Sequence, residues 1–328
     1  MIEDRYGRRM NYLRLAVTDR CNLRCTYCMP SQGLDWIPRN ELMSYEEMLR
    51  LCSLFVKMGV EKIRITGGEP FVRRDLLSFL TEISRIQGLQ QLTLTTNGLL
   101  TADLVPHLKS IGIRTVNLSL DTLDKDRFIR ISRRDGLDKV LGTLDALITN
   151  GIAVNINTVV MENLNIPDII PMVRLTEKLP VTVRFIEEMP FNGGDREVSL
   201  QWDYRRILDY IQDYFPLMVK DSDPPHATAL NFKIAGHCGR IGVIAAYTRS
   251  FCGSCNRIRI TPTGVLRTCL YDPGKLNLKD AIRAGSSDEE IKKMIMETIL
   301  TKKRDGWQAA KLLDTYNQEH ESMATIGG

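Results

Sequence analysis

Two groups of three cysteines dominate the chemistry available to this chain. Its eight cysteines stand at positions 21, 25, 28, 52, 238, 252, 255 and 269 of 328 residues. Cys21, Cys25 and Cys28 are spaced Cys-x3-Cys-x2-Cys. Three thiolates on one short loop suit a corner of a cubane iron–sulfur cluster, since thiolate is the usual ligand of such iron. The fourth iron then stays open, and an open metal position is where a substrate can react. Cys252, Cys255 and Cys269 are spaced Cys-x2-Cys-x13-Cys and form a second three-thiolate clamp. A structural zinc site with a distant fourth ligand also accommodates either spacing, the second completed by His237 or Cys238. Arg257 and Arg259 argue for more than structure. On a strand they share one face, and forked guanidinium donors match phosphate oxygens. Cys52, within Leu51–Phe55, reads as a buried core thiol, and Cys238 as a core or surface thiol.

Something must hold these groups in place. Apolar, β-branched runs predict strands at Leu13–Val17, Lys62–Thr66, Gln91–Thr95, Thr115–Leu120, Ala153–Val160 and Val181–Ile186. Helical patterns lie between them, as at Ser44–Met58, where Ser44 and Glu47 form a capping box. Gly59, Gly88, Gly112 and Gly151 close helices before the next strand. Alternating strands and helices predict a parallel sheet with right-handed crossovers. Six units are too few for a complete barrel, so the expected fold is α/β, a partial (βα)6 TIM-type barrel with a C-terminal iron–sulfur cluster domain. The boundary is expected in Lys220–His226, giving units 1–225 and 226–328. In barrels of this kind, chemistry gathers at the C-terminal ends of the strands. The first cysteine group directly follows such an end.

The composition is that of an ordinary globular chain. Lys plus Arg is 44 and Asp plus Glu is 40, a net charge of +4. That is too mild to suggest a nucleic-acid or anionic-membrane partner. No run approaches the roughly 18 apolar residues of a membrane span, and charged Met1–Asn11 does not read as a secretory signal. A reducing cytoplasm is the expected compartment, with the cysteines as ligands rather than disulfides.

Cys21-x3-Cys25-x2-Cys28, with Tyr27 before the last cysteine and Gly67-Gly68-Glu69-Pro70 after the second strand, resembles the radical S-adenosylmethionine superfamily. Adding the block Phe251–Ile260, Cys269 and the terminal Gly327-Gly328, the chain resembles the GTP 3′,8-cyclase family of molybdenum cofactor biosynthesis, from about Tyr12 to its last residue. The resemblance implies two 4Fe-4S clusters and S-adenosylmethionine as cofactors. A 5′-deoxyadenosyl radical would abstract the C3′ hydrogen of GTP, and closure onto C8 would give (8S)-3′,8-cyclo-7,8-dihydroguanosine 5′-triphosphate. It assigns Cys21, Cys25 and Cys28 to the first cluster and Cys252, Cys255 and Cys269 to the second. Tyr27, Gly67, Gly68, Glu69, Ser119 and Met189 are implied on the S-adenosylmethionine side. Arg14, Arg64, Thr95, Arg184 and the segment Arg257, Ile258, Arg259 are implied on the GTP side. Gly327 and Gly328 are implied to reach into the active site. Family members usually carry a lysine in the fifth strand where this chain has Asn155, the loss of one charged contact worth about 1–3 kcal/mol. Implied partners are a reductant protein of flavodoxin or ferredoxin type and a downstream cyclic pyranopterin monophosphate synthase, with a homodimer as one assembly the family adopts. Two rival readings are a radical enzyme that modifies peptides and a non-catalytic zinc-binding protein.

Overall fold

The structure is a computed structural model that describes residues 1–194, 198, 200–249, 251–315 and 321–327, apart from the side chains of 312–315. Six parallel strands form its centre: β1 Tyr12–Ala16, β2 Lys62–Thr66, β3 Gln91–Thr96, β4 Thr115–Ser119, β5 Ala153–Val160 and β6 Val181–Glu187. They match the six strands expected from the sequence to within a residue or so at each end. Their helices are α1 Tyr45–Lys57, α2 Leu76–Ser84, α3 Val105–Ser110, α4 Lys125–Ser132, α5 Leu137–Thr149 and α6 Ile169–Lys178. Ser44 and Glu47 make the expected reciprocal capping box at α1. Gly59, Gly88, Gly112 and Gly151 all take positive φ, as a glycine that ends a helix must.

After α7, Tyr204–Tyr214, the chain returns to the same sheet. A hairpin arm of β7 Met218–Lys220, β8 Ala229–Ile234 and β9 Arg240–Ile244 attaches through β9, which runs parallel to β6. At the opposite edge β10 Arg257–Ile260 pairs in parallel with β1, and β11 Val265–Arg267 and β12 Leu276–Asn277 follow antiparallel. The order is β12-β11-β10-β1-β2-β3-β4-β5-β6-β9-β8-β7. Eight strands in a row, β10 through β9, are therefore parallel, as in a full barrel. The sheet stays open because both outer strands pair with antiparallel hairpins instead of with each other. The expectation of an open barrel holds, and two further parallel strands come from sequence remote from the repeat.

The main core lies between the helices and the outward residues of the strands, such as Leu13, Leu15, Ile63, Ile65, Val183 and Phe185. Cys52 is fully buried within it, and Cys238 is exposed. The last helices are α8 Leu278–Arg283, α9 Asp288–Leu300, α10 Gly306–Thr315 and α11 Met323–Ile326. Among the described residues no helix is long and apolar enough to cross a membrane.

Candidate active site

A parallel sheet covered on both faces is normally apolar on both. The inward face of this one is not. Tyr12 and Arg14 of β1, Lys62 and Arg64 of β2, Thr182 and Arg184 of β6, and Arg257 and Arg259 of β10 alternate with apolar residues that enter the core. Side chains that do not pack leave a space. It is a cavity of about 1040 Å³, lined by these residues and by all six clustered cysteines. That is at the upper end of the roughly 300–1,000 Å³ typical of a small-molecule site, large enough for a nucleotide and a second ligand.

Strand register places the two cysteine groups at opposite ends. Cys21, Cys25 and Cys28 follow the C-terminal end of β1. Cys255 lies two residues before β10, whose Arg257 is paired with Tyr12 at the N-terminal end of β1. At about 3.3 Å per residue, five residues of strand separate the groups by on the order of 15 Å. A molecule between them spans from one to the other.

Both groups have the donor chemistry of iron–sulfur ligands. All six residues line the cavity, and none is in a disulfide. Burial pushes Cys21 up to about 11, and pushes Cys25 and Cys28 further, with neighbouring sulfurs and Asp121 adding to the rise. Coordination by a cation is what makes such thiols thiolates. Burial pushes Cys252 up to about 11, with Cys269 adding to it. Burial acts the same way on Cys255, but Arg257 and then Lys302 outweigh it and hold that thiol down at about 5. Among the described residues no three metal-ligating side chains converge as they would on one ion. A cubane takes each thiolate on a separate iron.

The cations in the cavity have almost no anions to meet. Of the two described carboxylates lining it, Glu61 is held by Arg9 and Asn11 at 2.8 and 2.9 Å. Glu187 accepts the backbone N–H groups of Tyr204, Tyr247 and Thr248. The Nε atoms of Arg14, Arg64 and Arg184 are buried without a partner among the described residues. Burial pushes the guanidinium of Arg14 and that of Arg184 down to about 10. Buried, uncompensated cations are costly and call for a bound polyanion.

Comparison with known proteins points the same way. Residues 15–176 match the model of the Radical SAM superfamily, and 181–308 match that of Molybdenum Cofactor Synthesis C. The chain is 41% identical over 329 residues to "GTP 3′,8-cyclase, mitochondrial" of Arabidopsis thaliana, covering 100% of this chain and 84% of that one. It is 42% identical to "GTP 3′,8-cyclase" of Geobacter sulfurreducens, covering 99% of each. The chain belongs to the GTP 3′,8-cyclase family. It is also 41% identical to "Molybdenum cofactor biosynthesis protein 1" of Mus musculus, of which it spans about half, 51%. In fold it resembles the Streptococcus suis SuiB structure bound to S-adenosylmethionine, with a TM-score of 0.62, 18% identity and coverage of 83% of this chain and 64% of that one. Members of the radical superfamily use S-adenosylmethionine and a 4Fe-4S cluster.

Most of the family positions face the cavity: Arg14, Arg64, Thr95, Arg184, Arg257 and Arg259, with Gly67, Gly68, Ser119 and Met189 nearer the first cysteine group or the C-terminal segment. Tyr27 lines it as well, and its Oη donates to Asp121 Oδ2 at 3.0 Å. Four described positions do not line it. Ile258 is fully buried in the core because it alternates with Arg257 and Arg259, so it cannot touch substrate with its side chain. Glu69 turns into the protein. Its carboxylate accepts Thr96 Oγ1 at 2.8 Å and the Phe71 and Asn97 N–H groups at 3.2 and 2.7 Å, latching the loop after β2 to the loop after β3. Asn155 donates to Asn117 Oδ1 at 3.3 Å, an oxygen that also accepts Arg184 Nη1 at 3.4 Å. It is too short to reach the space that Asn157, two residues on, does line. Gly327 is buried, and its carbonyl accepts Arg259 Nη1 at 2.5 Å. Gly328 lies outside the described residues. The sequence reading missed Tyr12, Lys62 and Asn157. Alternation was the available signal: Tyr12-x-Arg14 and Lys62-x-Arg64 repeat the pattern of Arg257-x-Arg259.

Proposed function

We propose that this chain is a GTP 3′,8-cyclase that uses S-adenosylmethionine and two 4Fe-4S clusters. The observation that carries the reading is a set of uncompensated arginines in one cavity between two three-cysteine groups. Cys21, Cys25 and Cys28 would hold the cluster that binds S-adenosylmethionine, and Cys252, Cys255 and Cys269 the one that faces the guanine base. When bound, the first cluster and S-adenosylmethionine supply the 5′-deoxyadenosyl radical that takes the C3′ hydrogen of GTP. The chain's own residues do the positioning. Arg14, Arg64 and Arg184 grip the triphosphate from three strands. Arg259 donates to the Gly327 carbonyl and so holds the C-terminal segment beside the cavity wall, from where Gly327 and Gly328 would act on the reaction. Holding the two reactants in line is a large part of the rate gain, because a bimolecular step becomes unimolecular.

We read 1–225 as the unit for S-adenosylmethionine and 226–328 as the unit for the second cluster. A flavodoxin- or ferredoxin-type reductant, a cyclic pyranopterin monophosphate synthase acting on the product, homodimer assembly and a cytoplasmic location belong to the same reading. Likeness to SuiB concerns the fold alone. A peptide substrate gives no reason for so many unpaired arginines, and a zinc-only protein gives none for the cavity.

The test is anaerobic. Reconstituted protein is mixed with GTP, S-adenosylmethionine and dithionite, and products are separated by mass. The expected result is 5′-deoxyadenosine together with a cyclised nucleotide of unchanged GTP mass. Equal 5′-deoxyadenosine with and without GTP, and no nucleotide product, overturns the substrate assignment.

A further inference from the structure

Tyr12 begins β1 in the cationic part of the cavity. Its neighbours across the sheet are Lys62 on β2 and Arg257 on β10, each paired with it in register. Lys62 Nζ lies 5.0 Å from the ring centroid, and the guanidinium carbons of Arg64 and Arg14 lie at 5.4 and 5.8 Å. Only 9% of the residue is exposed. Its Oη is buried and accepts only a loose approach from the Arg14 guanidinium, while no described residue accepts its O–H. A buried phenol whose O–H has no acceptor is costly unless a ligand supplies one.

We infer that Tyr12 is a nucleotide-binding residue whose hydroxyl donates to a phosphate oxygen of the bound triphosphate. The inference rests on the proposed GTP substrate. The surroundings of the ring support it. Arg14 on its own strand, Lys62 and Arg64 on β2, Arg257 on β10 and Arg184 on β6 all act on it electrostatically. Glu61, at the entrance to β2, is held by Arg9 and Asn11. Burial alone would raise the phenol, but Arg64, Arg14, Lys62 and Arg257 together bring it down to about 8. Without nucleotide, Tyr12 is therefore partly ionised near pH 8 and serves as an internal counter-ion for the arginines. A triphosphate takes over that role. A phenolate would repel it and a phenol can donate to it, so nucleotide binding draws a proton onto Tyr12.

Calorimetric titration of the reconstituted full-length protein with GTP reads both consequences. Tyr12→Phe removes the hydroxyl and keeps the ring, and its melting temperature checks that the fold is intact. In two buffers of different ionisation enthalpy at pH 8, wild type should take up about half a proton more per GTP than Tyr12→Phe. The variant should bind GTP about tenfold more weakly and guanosine equally well, as expected for one hydrogen bond to a charged group. Equal proton uptake, or equal GTP affinity, overturns the role of Tyr12 while leaving the substrate standing. Wild type that does not bind GTP overturns the substrate reading and this one with it.

Discussion

At the scale of single residues, the site is defined by side chains that break the rule for a covered parallel sheet. Arg14, Arg64 and Arg184 occupy positions where an ordinary barrel places Val or Leu, and no described carboxylate pairs with them. Position 155 shows how finely such a set is tuned. Asn155 and Arg184 both donate to the Asn117 side-chain oxygen, so only Asn117 meets that guanidinium directly. A lysine at the same position is long enough to reach the cavity and adds a charge, at the expense of the bond to Asn117. Asn155→Lys should therefore tighten GTP binding by up to about tenfold, the worth of one charge-assisted hydrogen bond. Calorimetric titration of GTP measures it. Unchanged affinity would mean that the remaining cations already saturate the triphosphate.

At the scale of elements, the loop after β2 shows why a glycine pair is required there. A Cβ on Gly68 would lie 2.3 Å from the Arg20 carbonyl oxygen and 2.7 Å from that of Asp19, both main-chain atoms that cannot rotate away. The same loop is stitched to the first cysteine loop by Gly68 N–H to Thr18 O and Glu69 N–H to Arg20 O, both at 2.8 Å. Gly68→Ala should push the cysteine loop out of place, at about 1–3 kcal/mol of strain. Iron content after reconstitution should fall from about eight to about four per chain, the second cluster being retained. Full iron loading of the variant would show that the loop yields. Elements of this kind were legible in the sequence to different degrees. Strands β1 to β6 and their helices follow from local patterns, such as the Ser44 and Glu47 capping box. The parallel pairing of β9 with β6 and of β10 with β1 does not, because it joins segments whose partners lie far away in sequence and carry no periodic signal of their own. Glu69 and Ile258 belong to functional motifs by position, yet their side chains serve the protein interior. Motif membership gives the place of a residue, and only strand alternation or a hydrogen-bond inventory gives its direction.

At the scale of the molecule, both chain ends close on the region between the cysteine groups. Arg8, paired with Asp4 at 2.7 Å, donates to the carbonyls of Cys252, Arg304 and Lys303 and so ties the N-terminal segment to the second cysteine loop. Ser322 Oγ donates to the Cys28 carbonyl at 2.5 Å, and the Gly327 carbonyl receives Arg259. The tail thus touches the first cysteine loop and the second half of the sheet together. The mild net charge of +4 hides this arrangement, since seven arginines line the cavity against two described carboxylates. In the proposed reaction GTP lies between the two cysteine groups with its ribose facing the S-adenosylmethionine end. That placement is tested most directly with GTP carrying deuterium at C3′, incubated anaerobically with reconstituted protein, S-adenosylmethionine and reductant. The account predicts one deuterium in the recovered 5′-deoxyadenosine, read by mass spectrometry. Unlabelled 5′-deoxyadenosine formed alongside a consumed nucleotide would contradict it.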